Sequence, residues 1–86
     1  MKIGNLVATR EISEKVAKDE KFAKFVAESF GRYMRQDWGD MCKEDWKMND
    51  DAVKNGNDRI IASYDNIFII TEYDRSYTTI LFKEEY

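Results

Sequence analysis

Arg59-Ile-Ile-Ala-Ser-Tyr-Asp-Asn-Ile-Phe-Ile-Ile-Thr-Glu-Tyr-Asp-Arg-Ser-Tyr-Thr-Thr-Ile-Leu-Phe82 decides the fold class. It contains three runs rich in β-branched and aromatic residues, 59–64, 66–72 and 76–82, parted at Asp65-Asn66 and at Tyr73-Asp74-Arg75. Such residues suit a pleated surface, and short polar breaks suit tight turns, so the stretch predicts a three-stranded antiparallel meander. The middle run is apolar on both faces and is therefore expected at the centre. Ile61, Ile70, Ile80 and Phe82 are candidate core residues. With Ile67 to Ile70 all apolar, either Ile67 or Phe68 fits the inward position.

Upstream the period changes. Asn55-Gly56-Asn57-Asp58 is a stop and turn signal. Before it, Phe22, Phe25, Val26, Ser29, Phe30, Tyr33 and Met34 recur at the i, i+3, i+4, i+7 spacing of an amphipathic helix over 20–35, N-capped by Asp19. Gly31 inside that pattern suggests close approach of another element. Thr9 can cap a preceding helical turn over 11–18, with Ile12 and Val16 inward, and Asn5-Leu-Val-Ala-Thr reads as an opening strand or extended arm. Gly39 breaks the second helix, Asp40 is the expected N-cap of a third over 41–54, and Met41, Cys42, Trp46, Met48, Ala52 and Val53 are its apolar set. These six do not form one clean stripe. Trp46 and Cys42 are expected to be buried, whereas Trp38, beside the glycine, is open to either reading. The expectation is one α+β domain over 1–86. Its helical part covers about 10–54 and its β-meander about 58–83, with the helices on one sheet face and room for an extra short N-terminal strand. At 86 residues, a second core would leave each half too small to fold unaided.

Charge divides along the chain. Residues 1–36 are net +3, residues 37–51 net −4 and residues 52–86 net −2. The segment Asp37-Trp-Gly-Asp-Met-Cys-Lys-Glu-Asp-Trp-Lys-Met-Asn-Asp-Asp51 sets six acids against two lysines and holds both tryptophans. Asp37, Trp38, Asp40, Glu44, Asp45, Asp50 and Asp51 are thus candidate contacts for a basic partner, with the aromatic as anchor and the acids for steering. Solvated helix-surface acids are the plain alternative. A second candidate patch is the turn holding Glu72, Asp74 and Arg75, where ordinary turn chemistry competes with presentation to a partner. Lys21, Lys24, Arg32 and Arg35 make the polar side of the second helix basic. That face carries the alternative reading of a DNA-binding or regulatory protein, against which the acidic whole-chain balance weighs.

Catalytic chemistry has little to stand on. There is no histidine, so Ser-His-Asp and Cys-His nucleophile systems are excluded, and one cysteine cannot build a zinc shell. Gly4, Gly31, Gly39 and Gly56 are scattered, and no glycine-rich phosphate loop exists. The acids lack an EF-hand pattern. No enzyme activity, metal or cofactor is expected. No run reaches membrane-spanning length and no apolar leader opens the chain, so a cytoplasmic location without membrane contact is expected. A free edge strand leaves homodimer formation open.

Two stretches resemble a known group. Asn5-Leu-Val-Ala-Thr-Arg leading to Phe22-Ala-Lys-Phe-Val and Asp37-Trp-Gly-Asp, together with Ile69-Ile-Thr-Glu-Tyr-Asp-Arg-Ser-Tyr-Thr-Thr-Ile-Leu-Phe-Lys-Glu-Glu-Tyr86, are similar to small uncharacterised "plasmid-related" proteins of bacterial mobile genetic elements. The resemblance covers nearly the full chain, which is shorter between Tyr64 and Ile67 than the group's usual hairpin. It implies context rather than residue roles. Small acidic proteins of mobile elements often bind and block host machinery, including CRISPR and restriction complexes. The partner implied is a host protein or nucleoprotein with a basic site, met by an acidic surface that mimics nucleic acid.

Overall fold

The computed structural model describes residues 1–86 and shows an α+β architecture. In chain order the elements are β1 (Asn5–Ala8), α1 (Arg10–Lys18), α2 (Glu20–Met34), α3 (Lys43–Asn55), β2 (Ile60–Tyr64), β3 (Ile67–Thr71) and β4 (Tyr77–Phe82), closed by a 3-10 turn over Lys83–Glu85. The sheet has four strands in the order β1-β4-β3-β2. It is mixed rather than a plain meander: β2, β3 and β4 are antiparallel neighbours, and β1 joins β4 in parallel. The arm is held there by local chemistry. Gly4 takes a positive φ of 63° where a Cβ would strike the carbonyls of Arg75 and Ser76, and the Thr78 hydroxyl donates to the Ile3 carbonyl at 2.7 Å.

The expected caps of the first two helices are in place. Thr9 Oγ1 accepts from the Ile12 amide, and Asp19 Oδ1 accepts from the Phe22 amide. Ile12, Phe22, Ser29 and Tyr33 are buried, but Met34 is exposed. Gly31 packs against no other element: a Cβ there would meet only the Arg35 guanidinium. For α3 the expected cap is wrong. The helix begins at Lys43 with Cys42 as an N-cap that makes no side-chain cap bond, because Asp40 is drawn away to the sheet. Cys42 and Met48 face solvent, while Trp46, Ala52 and Val53 pack on the core.

Strand register settles the facing. Ile60, Ala62, Tyr64, Ile67, Ile69, Thr71, Thr78, Ile80 and Phe82 share one face, all buried, and residues of all three helices pack against it. Ile61, Phe68, Ile70, Tyr77, Thr79, Leu81 and Val7 alternate onto the other face. Ile61 and Ile70 thus lie opposite the helix-covered core, and Ile70 is the one buried apolar residue outside the core cluster. Tyr86 lies edge-on to Phe68 there, at 5.5 Å between ring centroids.

A file of hydroxyls crosses the covered side. Tyr33 Oη and Thr71 Oγ1 are 2.6 Å apart, as are Thr71 Oγ1 and Thr78 Oγ1. Thr78 spends its single proton on Ile3, so Thr71 must donate to Thr78 and Tyr33 to Thr71. The file therefore has one direction, from α2 through β3 and β4 to the N-terminal arm.

Candidate partner-binding surface

The Asp37-Trp-Gly-Asp40 link between α2 and α3 is fastened along the outer edge of β2. The Ser63 amide donates to the Trp38 carbonyl at 3.1 Å, and the Asp40 amide donates to the Ser63 carbonyl at 2.7 Å. Gly39, at φ 73°, lies so close that a Cβ would collide with the Ser63 carbonyl and the Tyr64 ring. Asp40 Oδ2 accepts from the Asp65 amide at the β2–β3 turn. Asp37 accepts two hydrogen bonds from Arg32, at 2.9 and 3.2 Å, and one from the Gly39 amide, while its carbonyl accepts from Tyr64 Oη at 2.6 Å. The Arg32 hydrogen bond holds the Asp37 carboxyl below its usual range and raises the guanidinium in turn.

Trp38 is fully buried, edge-on to Tyr33, and its indole N–H donates to Asp50 Oδ1 at 2.9 Å. It cannot anchor a partner. Of the seven candidates in the acidic segment, Asp37, Trp38, Asp40 and Asp50 thus hold the fold together. Asn49 does so too: its amide accepts from the Ile61 N–H and donates to the Ile61 carbonyl, standing in for a neighbouring strand.

The second candidate patch has the same character. Arg75, at φ 60°, donates to the carbonyls of Asp58, Glu72 and Tyr73 and, at 2.8 Å, to that of Ala52 near the C-terminus of α3. A cation suits the negative end of a helix, so Arg75 staples the β3–β4 turn to α3. Asp74 accepts from the Ser76 amide, and bonding from Ser76 holds its carboxyl below the usual range. Glu72 is half-buried beside them.

Three acids remain free of such bonds to backbone or core: Glu44, Asp45 and Asp51. Asp45 accepts only from the exposed Cys42 thiol, at 3.2 Å. They converge on one apolar side chain. Met48, 63% exposed, has Glu44 four residues before it, Asp45 three before and Asp51 three after, the spacings of neighbours on a helix surface. Beside it opens a groove of about 300 Å³ lined by Met41, Asp45, Met48, Asn49, Asp58, Arg59 and Ile61. Arg59 leans on the Tyr86 ring and donates to its hydroxyl. The groove thus holds three apolar side chains, Met41, Met48 and Ile61, with Asp45, Asp58 and the Tyr86-bound Arg59 as its charged lining, and Glu44 and Asp51 flank Met48 on the helix outside it. Sequence reasoning placed Met48 and Ile61 in the core and passed over Asp58. No spacing signal singled Met48 out, since it stands four residues before the buried Ala52, the separation of neighbours on one helix face.

On the opposite side of the molecule's charge division, Lys24, Arg32 and Arg35 surround a shallow depression that Glu28 shares. Arg32 is committed to Asp37, which leaves that face fewer free cations than its composition suggests. No three His, Cys, Asp or Glu side chains are placed to hold a metal ion, and no helix is long and apolar enough to cross a membrane. No protein-family model, curated protein or solved structure matches the chain.

Proposed function

We propose that this chain is a non-enzymatic protein-binding module that captures a cationic segment of a partner in the groove between α3 and β2. One observation carries the reading: Met48 stands exposed with Glu44, Asp45 and Asp51 as its helix neighbours and shares a groove with Met41, Ile61, Asp45 and Asp58, whose one cation, Arg59, is engaged by Tyr86. An apolar floor with a carboxylate rim suits an apolar side chain flanked by Lys or Arg, with contact from the floor and steering from the rim. The resemblance to mobile-element proteins supports a host defence nucleoprotein as partner, in the manner of an anti-CRISPR inhibitor whose acids occupy a site meant for phosphate.

The test is affinity capture from a host lysate, followed by inhibition assays on any defence complex recovered. Two variants accompany the natural chain: Glu44→Lys with Asp45→Lys and Asp51→Lys, and Met48→Glu alone. Loss of capture in both is expected. Undiminished capture by both overturns the groove. DNA retention at low salt with a steep salt slope, lost on reversing Lys21, Lys24 and Arg35, would instead support the nucleic-acid reading.

A further inference from the structure

The two edges of the sheet are unlike. Along β2 the Gly39 bridge and the Asn49 amide occupy the outward backbone groups, leaving no template for another strand. Along β1 nothing does. The Asn5 amide donates to the Ser76 carbonyl and the Thr9 amide to the Ile80 carbonyl, so in this parallel ladder Asn5, Val7 and Thr9 point their backbone groups at β4. Leu6 and Ala8 therefore direct an N–H and a carbonyl each to the open edge. The strand has no charge and no proline, the usual guards of an edge. Leu6 is 49% and Val7 44% exposed, and Tyr77, across from Asn5, is 44% exposed.

We propose that β1 pairs with β1 of a second copy of this chain, antiparallel and about a two-fold axis at Val7, giving one continuous eight-stranded sheet. The register follows from which groups point outward. With Leu6 opposite Ala8 of the second copy and Ala8 opposite its Leu6, each pair exchanges two N–H···O bonds and every outward group is satisfied. Val7 then faces its own equivalent across the axis as a close, non-hydrogen-bonded pair. The window suits a strand of this length and little more: Gly4 turns the chain at one end, and at the other Thr9 caps α1. Such an interface is isologous, the commonest kind in homodimers. It lies three strand spacings, about 14 Å, from β2, so it does not depend on the groove beside α3.

The test combines sedimentation across a concentration series with cysteine cross-linking in a Cys42→Ser background. Val7→Cys is expected to oxidise readily to a covalent dimer, because directly opposed, non-hydrogen-bonded positions meet disulfide geometry. Leu6→Cys is expected not to. Leu6→Pro removes an N–H that β4 does not use, and edge positions with the N–H outward tolerate proline; it should keep its circular dichroism spectrum and sediment at half the mass of the natural dimer. A monomer at every concentration with no Val7→Cys cross-link overturns the proposal. So does cross-linking of Leu6→Cys as fast as Val7→Cys, a folded Leu6→Pro that remains dimeric, or β1 pairing only with a different protein. Reversing Glu44, Asp45 and Asp51 should leave the mass unchanged, which separates this interface from the groove.

Discussion

Asp50 and Asp51 are adjacent, identical in type and both inside α3, yet their removal should have very different consequences. Trp38 is fully buried and its indole N–H has Asp50 Oδ1 as acceptor at 2.9 Å. Asp50→Ala would leave that indole N–H without its protein acceptor. Losing a hydrogen bond to a charged acceptor and leaving its partner unsatisfied costs about 2 kcal/mol. For a domain of 86 residues that is a fall in Tm of roughly 8–16 °C. Asp51→Ala removes a solvated carboxylate and should change stability by less than about 0.5 kcal/mol. Asp50→Asn retains an oxygen that can accept the indole proton and should recover most of the loss. Urea unfolding followed by tryptophan fluorescence in a Trp46→Phe background reads Trp38 alone. Equal stability of Asp50→Ala and Asp51→Ala would refute the division of the acids into structural and free. The same division governs any binding experiment, since reversing Asp37, Asp40 or Asp50 would damage the fold along with any contact.

The directed hydroxyl file makes Thr78 worth more than Tyr33: Thr78→Val leaves both the Ile3 carbonyl and the Thr71 proton without partners, costing about 2–3 kcal/mol, whereas Tyr33→Phe removes one donor at about 1 kcal/mol. Hydrogen exchange should also quicken in β1 for Thr78→Val, and a reversed order of costs would contradict the assigned direction. At high pH, burial pushes the Tyr33 phenol up to about 12 and raises Tyr64 as well. A raised folded pKa favours the neutral phenol in the fold, so this contribution is intact below about pH 10 and declines between pH 10 and 12 by roughly 1.4 kcal/mol per pH unit for each tyrosine. Phenolate absorbance and circular dichroism should therefore show late tyrosine ionisation accompanying loss of structure. Complete ionisation by about pH 10 with the helices intact would refute this.

The legible parts of this chain are those governed by near neighbours. Helix α2 announces itself through a recurrence of seven apolar or small residues and the Asp19 cap, and three strands through β-branched runs between polar turns. Asp19 and Thr9 could be read as caps because a cap needs only an amide three residues on. Asp40 looked like one by the same reasoning and is not, since the competing donor, the Asp65 amide, lies 25 residues away. The acidic segment shows the limit most clearly. Its composition marked a charged surface, but composition does not tell which carboxylates are occupied, and Arg32, the Trp38 indole and the β2–β3 turn claim three of them.

The order of residues alone determined the α+β class, most element positions, and the interior place of β3. Tertiary structure alone decided that β1 runs parallel to β4, that the Trp-Gly-Asp link closes the β2 edge, and that Met48 rather than Trp38 stands among the free acids. The physical reason is range. Backbone propensity and capping act within a turn or two, whereas strand partners and carboxylate acceptors are chosen by which donors the completed fold brings within 3 Å or so of them.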